Sequence, residues 1–277
     1  MNKPYAADMQ DKYLVPGLER GLRVLCEVGK GGASLDAPEL ARRLDVPRTT
    51  VFRLLATLEQ MGFVSRNENG HKFGLGMSGL RLGFEYLSSL ELTRQGRPVL
   101  DHLRDRCGHS CHLVVRDSTD IVYVAKAVAV SPLASSVNVG TRLPAHATVL
   151  GRVLLQDLGI EELRDLYPQH ELERHSPHTP TNVDELFALL GQDRNRGHVH
   201  QQGFFEPSIS TIAAPVRDEM GTVVAALGAT VPEARNDGRS LQDLIHSVRD
   251  AADELSALLQ GGADTSRIHH SLNGMTA

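Results

Sequence analysis

One short segment constrains the fold more than any other part of the chain: residues 39–64, ELARRLDVPRTTVFRLLATLEQMGFV. In its second half, four apolar residues recur at the spacing of one helical face: Val51, Leu54, Leu55 and Leu58. That spacing predicts a helix with a single buried stripe. Four polar residues lie largely off the stripe: Arg48, Thr49, Thr50 and Arg53. They therefore face solvent or a partner.

The neighbouring segments predict two earlier helices and a later hairpin. A first helix over residues 18–28 carries an apolar stripe of Leu18, Leu22, Leu25 and Val28. After the breaker GKGGAS, Asp36 is placed to cap a second helix that has Pro38 in its first turn and buries Leu40, Ala41 and Leu44. The third helix ends near Met61, because Gly62 suits the left-handed position after a helix. The segments FVSR and HKFGL then form two strands joined by the turn NENG.

Three helices followed by a hairpin predict a winged helix-turn-helix domain. In such a domain the third helix enters the major groove, where arginine can bind guanine and threonine can meet phosphate or a thymine methyl. The candidate DNA-binding residues are Arg42, Arg48, Thr49, Thr50, Arg53, His71 and Lys72. The alternative is a charged helix face that is merely solvated.

The distribution of charge agrees with a DNA contact in the N-terminal part of the chain. Residues 1–75 carry 11 Lys and Arg against 9 Asp and Glu, whereas the whole chain carries 29 against 34. The acidic remainder is therefore not expected to meet DNA. The length of 277 residues suits two domains, and the absence of a signal-like or membrane-spanning apolar run predicts a cytoplasmic protein. The odd number of cysteines, Cys26, Cys107 and Cys111, favours buried reduced thiols.

Three blocks of sequence together resemble one family over nearly the whole chain. They are the run from LERGLRVL through the third helix to GHKFGLG, then GTRLPAHATVLGRVLL, then STIAAPVRDEMGTVVAAL. Their order and spacing are similar to those of the isocitrate lyase regulator (IclR) family of bacterial transcription factors. The resemblance implies an α+β protein with a winged helix-turn-helix DNA-binding domain, a linker helix and a GAF-like α/β effector-binding domain. It also implies assembly as dimers or dimers of dimers.

The domain boundaries follow from these patterns. We assign residues 14–75 to the DNA-binding domain, 76–93 to a linker and dimerisation helix, 94–260 to the effector-binding domain, and 261–277 to a disordered tail. In the linker, Met77, Leu80, Phe84 and Leu87 form about two heptads of an apolar seam. The seam can hold a dimer together or can pack against its own domain. The resemblance favours the dimer, and a dimer implies an inverted-repeat operator on double-stranded DNA.

The effector-binding domain should contain a largely antiparallel sheet. The strands in CHLVVRD and IVYVAKAVAV are separated by only STD, which is too short for a parallel crossover. The segment GTRLPAHATVLGRVLL runs from a loop into a helix beginning near Ala147, whose free N–H groups could hold a carboxylate. Thr148 could instead simply cap that helix. Downstream, TNVDELFALLGQDRNRG predicts a helix, and TIAAPVRDEMGTVVAALGAT predicts two strands around a DEMG turn.

The element expected to face the ligand is HVHQQGFFEPSISTI. Members of the family commonly have an acidic residue or serine, then glutamate, then Cys, Ser or Ala there, whereas this chain has Gln201, Phe204 and Thr211. These changes make the region less anionic and more aromatic, although Phe204 and Phe205 could also be plain core residues. The run VGTRLPAHAT also resembles the branch that senses protocatechuate and 4-hydroxybenzoate. The expected effector is a small organic acid, with an aromatic carboxylate leading and sugar acids and oxo-acids left open. The candidate effector-binding residues are His146, Thr148, Val149, Leu150, Gln202, Ser210 and Thr211.

Two other classes of function make different demands on the sequence. An enzyme or zinc protein would need a nucleophile, base or metal set, and His198 with His200 supplies two metal ligands at most. No HExxH, paired CxxC, GxSxG or phosphate-loop pattern occurs, so we expect no catalytic residues, no metal and no cofactor. A structural adaptor with a vestigial sensor domain would bind DNA without responding to any small molecule.

Overall fold

The computed structural model describes residues 14–30, 35–67, 70–89, 91–129, 137–232 and 240–272. The chain divides into two compact units, Met1–Ser89 and Leu90–Ala277. Each unit has its own buried apolar cluster. The breaker GKGGAS, the turn NENG, the segment SSVNVG and the chain end fall partly outside the described residues.

The first unit contains the three helices and the hairpin that the sequence predicts. Its elements are α1 (Pro16–Lys30), β1 (Leu35–Asp36), α2 (Ala37–Leu44), α3 (Arg48–Gln60), β2 (Val64–Arg66), β3 (Lys72–Leu75) and α4 (Met77–Ser89). The strands form a three-stranded antiparallel sheet in the order β1-β3-β2. This is a winged helix-turn-helix.

Local signals in the sequence set the helix boundaries. Asp36 caps α2, because its Oδ1 accepts the Glu39 N–H at 2.8 Å. Gly62 lies just past α3 with φ +76°, the left-handed conformation that glycine adopts without strain. The prediction of the α1 stripe is partly wrong. Val24 and Val28 are buried, whereas Leu18 and Leu22 are exposed, because the buried stripe of α1 is rotated towards Val24.

The second unit is a six-stranded sheet with helices. Its elements are α5 (Glu91–Cys107), β4 (Ser110–Asp117), β5 (Asp120–Ala127), β6 (Arg142–Pro144), a 3₁₀ turn (Ala145–Ala147), α6 (Val149–Leu155), α7 (Ile160–Leu166), α8 (Val183–Arg196), β7 (Val199–Gln202), β8 (Ile209–Arg217), β9 (Val223–Pro232) and α9 (Leu241–Leu272). The sheet order is β6-β5-β4-β9-β8-β7, and every pairing is antiparallel. The prediction of a mainly antiparallel sheet is confirmed.

The strands of this sheet bury both faces. α6 packs against β8 and β9, while α9 packs against β8 and α5. Ile212 and Ala213 are neighbours on β8 and both are fully buried, although successive residues of a strand point to opposite faces. Gly228, the Cα partner of Ala213, lets α6 approach, because a Cβ there would lie 3.0 Å from Leu150 and 2.6 Å from the Ile212 carbonyl oxygen.

The last helix differs from the expectation. α9 runs to Leu272 and so includes residues 261–272, which the sequence predicts to be disordered. The packed part of α9 supplies a helix nucleus, and adding residues to an existing helix costs far less than starting one. The final residues, 273–277, lie outside the described part of the chain.

Candidate functional site

The exposed face of α3 presents the polar residues singled out in the sequence. Val51 and Leu55 are fully buried beneath it. On the outer side Arg48, Thr49 and Arg53 are exposed, and Thr50 is half-buried. Within the described residues, neither Arg48 nor Arg53 has an ion pair in the structure. Both guanidinium groups are therefore available to a partner.

The other two arginines of this basic region are already paired. Glu39 accepts hydrogen bonds from Arg42 and Arg43, at 2.7 Å in each case. The bond from Arg42 and then the bond from Arg43 lower the pKa of Glu39 to about 2. Arg43 also contacts Glu27 at 3.1 Å. Arg42, though exposed, must share its guanidinium with Glu39 if it is to meet DNA.

The wing is held by contacts within the hairpin. The Lys72 N–H donates to Asn67 Oδ1 at 3.1 Å, and the Arg66 guanidinium lies over the Phe73 ring at 4.9 Å. His71 and Lys72 are exposed at the start of the returning strand. Their side chains are therefore accessible to a partner.

A cavity of about 260 Å³ lies in the second unit, against the sheet face that α6 covers. Most of its wall is apolar or aromatic, with threonine hydroxyls set into it. The lining residues are Tyr123, Val137, Thr141, Leu143, Thr148, Val149, Leu150, Phe204, Phe205, Glu206, Ile209, Thr211 and Thr230. Among these described lining residues there is no Lys or Arg.

Strand alternation decides which of the predicted effector residues reach this cavity. Thr211 pairs with Thr230 across β8 and β9, and both side chains line the cavity. Ser210 is the next residue along β8 and points to the opposite face, where its hydroxyl lies 2.9 Å from His200 Nε2. Gln202 pairs with Ser210 in register and belongs to that same opposite face. Ser210 and Gln202 therefore lie outside the cavity wall.

The third predicted residue outside the wall is His146. It is buried in the 3₁₀ turn, where its Nε2 lies 2.9 Å from the Glu173 carbonyl oxygen. Its ring packs edge-on against Tyr167. Thr148, Val149, Leu150 and Thr211 are the predicted residues that the structure brings together around the cavity.

The start of α6 shows that Thr148 caps this helix. The helix begins at Val149, two residues later than predicted, because a 3₁₀ turn precedes it. Thr148 is its cap, with Oγ1 accepting the Gly151 N–H at 3.1 Å. A Cβ at Gly151 would lie 2.1 Å from the Ala145 carbonyl oxygen, so only glycine allows the turn to fold back so tightly. The cap does not remove Thr148 from the wall, since it also lines the cavity.

A buried ion pair behind the cavity was missed by the sequence analysis. Arg152 and Asp193 are 2% and 1% exposed, and two hydrogen bonds of 2.8 and 2.7 Å join them. Burial lowers the pKa of Arg152 and raises that of Asp193, and their mutual attraction opposes both shifts. Arg152 also donates to Gln201 and lies 4.8 Å from the centre of the Phe204 ring. The sequence signal that could have revealed this pair is a charged residue at a core-facing position in each of two helices, Arg152 in α6 and Asp193 in α8.

The opposite side of the cavity contains a buried histidine that was also missed. His112 is 1% exposed, its ring packs edge-on against Tyr123 at 5.4 Å, and its Nε2 lies 3.2 Å from Thr230 Oγ1. Burial, and to a lesser degree the nearby Lys126 charge, lowers the pKa of His112 to about 4. The imidazole is therefore neutral at pH 7.

The remaining candidate groups give no second site. No group of three or more His, Cys, Asp or Glu side chains within the described residues is placed to hold a metal ion. His198 precedes β7 and its Nδ1 lies 3.1 Å from the Arg196 carbonyl oxygen, while His200 contacts Ser210. The cysteines are free thiols, and Cys107 and Cys111 are buried as expected. Cys26 is exposed, contrary to the prediction, because it lies off the buried stripe of α1.

A winged helix-turn-helix followed by an α/β domain with a ligand-sized cavity defines a ligand-responsive DNA-binding protein. The family models agree with this class. Residues 17–68 match the IclR helix-turn-helix domain, and residues 84–257 match the bacterial transcriptional regulator IclR C-terminal domain. The chain belongs to the IclR family of bacterial transcriptional regulators. None of the described helices combines the length and hydropathy that a bilayer crossing requires.

Individual relatives are similar over most of their length. The Pca regulon regulatory protein of Pseudomonas putida is 30% identical over 251 residues, covering 88% of this chain and 86% of that protein. A transcriptional regulator from Rhodococcus sp. RHA1 superposes with a TM-score of 0.77 at 34% identity, covering 89% and 98% of the two chains. An IclR homologue from Microbacterium hydrocarbonoxydans, complexed with 4-hydroxybenzoate, has a TM-score of 0.76 at 27% identity, covering 88% and 98%.

The buried His112 predicts a specific pH dependence of stability. Its pKa is about 4 in the folded protein, against 6.5 for the unperturbed side chain. Between these values the unfolded chain binds a proton that the native state does not, so stability falls as pH drops from 6.5 to 4. His112→Gln should remove roughly 2 to 3 kcal/mol of that loss, at about 1.4 kcal/mol per pKa unit.

Urea unfolding of the parent and the His112→Gln variant across this pH range measures the difference. His246→Gln, which alters an exposed histidine, serves as the matched control and should follow the parent. Parallel curves for the parent and the His112 variant would contradict the assignment of a depressed pKa.

Proposed function

We propose that this protein is a sequence-specific DNA-binding transcriptional regulator of the cytoplasm whose operator affinity or activity is controlled by a small organic acid bound in the C-terminal cavity. The observation that carries the proposal is that one chain contains both an α3 face whose arginines have no ion pair within the described residues and, in the second unit, a largely apolar cavity with threonine hydroxyls. We assign the protein no catalytic activity and no cofactor.

The DNA contacts follow from the exposed face of α3. Arg48 and Arg53 are the candidates for reading base edges, because an arginine can donate two hydrogen bonds to guanine O6 and N7. Thr49 and Thr50 are placed beside them for phosphate or methyl contacts. Arg42 from α2 and His71 with Lys72 from the wing would contact phosphates, and these contacts set orientation without reading sequence. Candidates for base recognition therefore lie only on α3.

Arg53→Ala should weaken operator binding without unfolding the protein, since the buried Val51 and Leu55 are unchanged. If Arg53 reads guanine, the loss should be about 1 to 3 kcal/mol and confined to one base position. If it binds phosphate, the loss should be independent of sequence and the salt slope should fall by about one. Fluorescence anisotropy with operator and random DNA at several salt concentrations distinguishes the two.

The matched control is Arg23→Ala, which removes the same charge from α1, where Arg23 is exposed. It should change operator affinity far less than Arg53→Ala does. Equal affinities of the parent and the Arg53 variant for both operator and random DNA would exclude Arg53 from the interface.

The protein should bind an inverted repeat as a dimer or as a dimer of dimers. A single short recognition helix contacts too few base pairs for specificity, and two-fold symmetry doubles the contacts. Met77 and Leu80 of the proposed seam are 76% and 63% exposed in one chain. The side chains of Phe84 and Leu87, the other two seam residues, lie outside the described residues. The exposed apolar side chains of Met77 and Leu80 support a seam that a second copy of the chain covers.

The symmetry can be tested with matched DNA fragments. The intact inverted repeat should bind at least ten-fold more tightly than an isolated half-site of equal length, because two linked half-sites add their contacts. Analytical ultracentrifugation of the complexes counts the bound chains. A half-site that binds one chain as tightly as the full repeat would contradict the dimer.

The effector should be an organic acid with an apolar or aromatic body. Tyr123, Phe204 and Phe205 contribute rings to the wall, and a cavity of about 260 Å³ suits a single small ring with substituents. The Thr148 and Thr211 hydroxyls and the first amides of α6, at Val149 and Leu150, are the candidates for the carboxylate. The Microbacterium homologue is complexed with 4-hydroxybenzoate, which supports an aromatic carboxylate as the leading class.

Thr211→Val tests the position of this site. The variant keeps the side-chain volume and removes one hydroxyl, so effector affinity should fall by about 1 to 3 kcal/mol while operator binding without ligand persists. Isothermal titration calorimetry of the full chain against aromatic acids, oxo-acids and sugar acids measures the change.

Ser210→Ala is the matched control, because Ser210 is the adjacent residue on β8 and points to the other face. It should leave affinity unchanged. A loss in the Ser210 variant with none in the Thr211 variant would place the effector outside the cavity. Because binding is linked, operator must change effector affinity by the same factor that effector changes operator affinity.

A further inference from the structure

The Thr230 hydroxyl has its hydrogen-bonding direction set by two neighbours. It lines the cavity and pairs with Thr211 across the strands. Its O–H donates to the Ser110 carbonyl oxygen at 3.3 Å, and His112 Nε2 lies 3.2 Å from the same oxygen atom. A hydroxyl has one proton, so when that proton is given to Ser110 the contact with His112 must run from the imidazole to Thr230.

The surroundings of His112 independently favour the same direction. Its Nδ1 is buried and has no hydrogen-bond partner within the described residues. A proton on Nδ1 would be a buried donor without an acceptor, which is rarer and more costly than a buried acceptor without a donor. The neutral ring therefore carries its proton on Nε2 and donates to Thr230. The depressed pKa of His112 agrees with a neutral ring.

Thr230 and Thr148 therefore offer opposite hydrogen-bonding groups to the cavity. The Thr230 oxygen has its proton engaged by Ser110 and one lone pair engaged by His112, so it can only accept from a ligand. The Thr148 oxygen accepts the Gly151 N–H, and its own proton remains for a ligand acceptor. A carboxylate, which only accepts, can therefore bind the Thr148 hydroxyl but cannot form a hydrogen bond with the Thr230 oxygen.

We propose that Thr230 Oγ1 accepts a hydrogen bond from a hydroxyl group of the effector, and that His112 is the positioning residue that keeps this oxygen an acceptor. The inference rests on the proposed function, because it assumes that the cavity binds an organic acid, and it deepens that function by naming a second polar group on the ligand. It also assigns roles to two residues, Thr230 and His112, that the sequence did not single out.

Among the other lining groups, Glu206 and Tyr123 could also accept the same hydroxyl. Glu206 carries a carboxylate but is exposed at the cavity rim, where water competes for it. The Tyr123 phenol is buried within the wall, and burial raises its pKa to about 12, so it keeps its proton. Both are included in the test as Glu206→Gln and Tyr123→Phe.

The experiment compares matched acids on the full-length protein by isothermal titration calorimetry. The probes are benzoate with its 3- and 4-hydroxy and 3- and 4-methoxy derivatives, and butyrate with 4-hydroxybutyrate. A methyl ether keeps the oxygen but has no proton to donate, so it separates the hydrogen bond from the added size. The unmutated protein should bind one hydroxy acid roughly ten-fold more tightly than it binds the corresponding acid without the hydroxyl, and roughly ten-fold more tightly than the corresponding methyl ether.

Four variants assign this preference to its source. Thr230→Val should bring the hydroxyl-to-methoxy affinity ratio close to one while leaving affinity for the unsubstituted acid within about two-fold. Thr230→Ser, which keeps the hydroxyl, should retain the preference. His112→Leu should lower the ratio, since Thr230 is then free to rotate, and His112→Gln, which can supply an amide donor, should restore most of it. Circular dichroism and ligand-free operator binding verify folding.

Each other outcome overturns the inference. Acids that bind without a hydroxyl preference, or a preference that survives Thr230→Val, would refute it and leave the proposed effector site standing. A preference abolished by Glu206→Gln or Tyr123→Phe but not by Thr230→Val would give the contact to that residue instead. If no acid of the panel or of the wider oxo-acid and sugar-acid set binds, the proposed function of the cavity fails as well.

Discussion

The buried ion pair between Arg152 and Asp193 fixes the wall on which the candidate effector site depends. It joins α6 to α8, and through Gln201 and the Phe204 ring it also holds the end of β7 and the segment that closes the cavity. Two buried charges are tolerated only when they satisfy each other, and removing one partner of such a pair typically costs about 3 to 5 kcal/mol. Phe204 is both a core residue and a cavity residue, and the Arg152 guanidinium packs against its ring. The position of the wall is therefore set by electrostatics as well as by apolar packing.

The DNA-binding unit is held together by a small apolar core. The arginines on its surface are of two kinds, those with an ion pair and those without one in the part of the chain that the structure describes. Arg42 and Arg43 are neutralised by Glu39 and Glu27, whereas Arg53 is left without an ion pair within the described residues. Charge that is already paired contributes little to a new partner, so the count of arginines in a sequence overstates the charge that a phosphate backbone would meet. The free guanidinium groups on α3 carry the proposed recognition.

Much of the fold could be predicted because local sequence controls it. The cap at Asp36, the glycine after α3 and the two-residue connection between β4 and β5 each act over a few residues. The candidate site was predicted only in part. Of the predicted residues, Thr211 lies on the cavity wall and Ser210 does not, because a polar stretch of sequence does not reveal which residues of a strand face inward. That choice depends on the register of β8 with its neighbours.

The sequence by itself determined the two-part architecture, the DNA-reading helix and the antiparallel character of the sheet, because helical periodicity, caps and turn lengths are properties of neighbouring residues. Only the tertiary structure decided which groups share the cavity. His112 and Thr230 are 118 residues apart and meet through the pairing of β4 with β9, while Arg152 and Asp193 are 41 residues apart and meet through helix packing. Contacts between distant residues arise when sheets and helices assemble, and no local pattern encodes them.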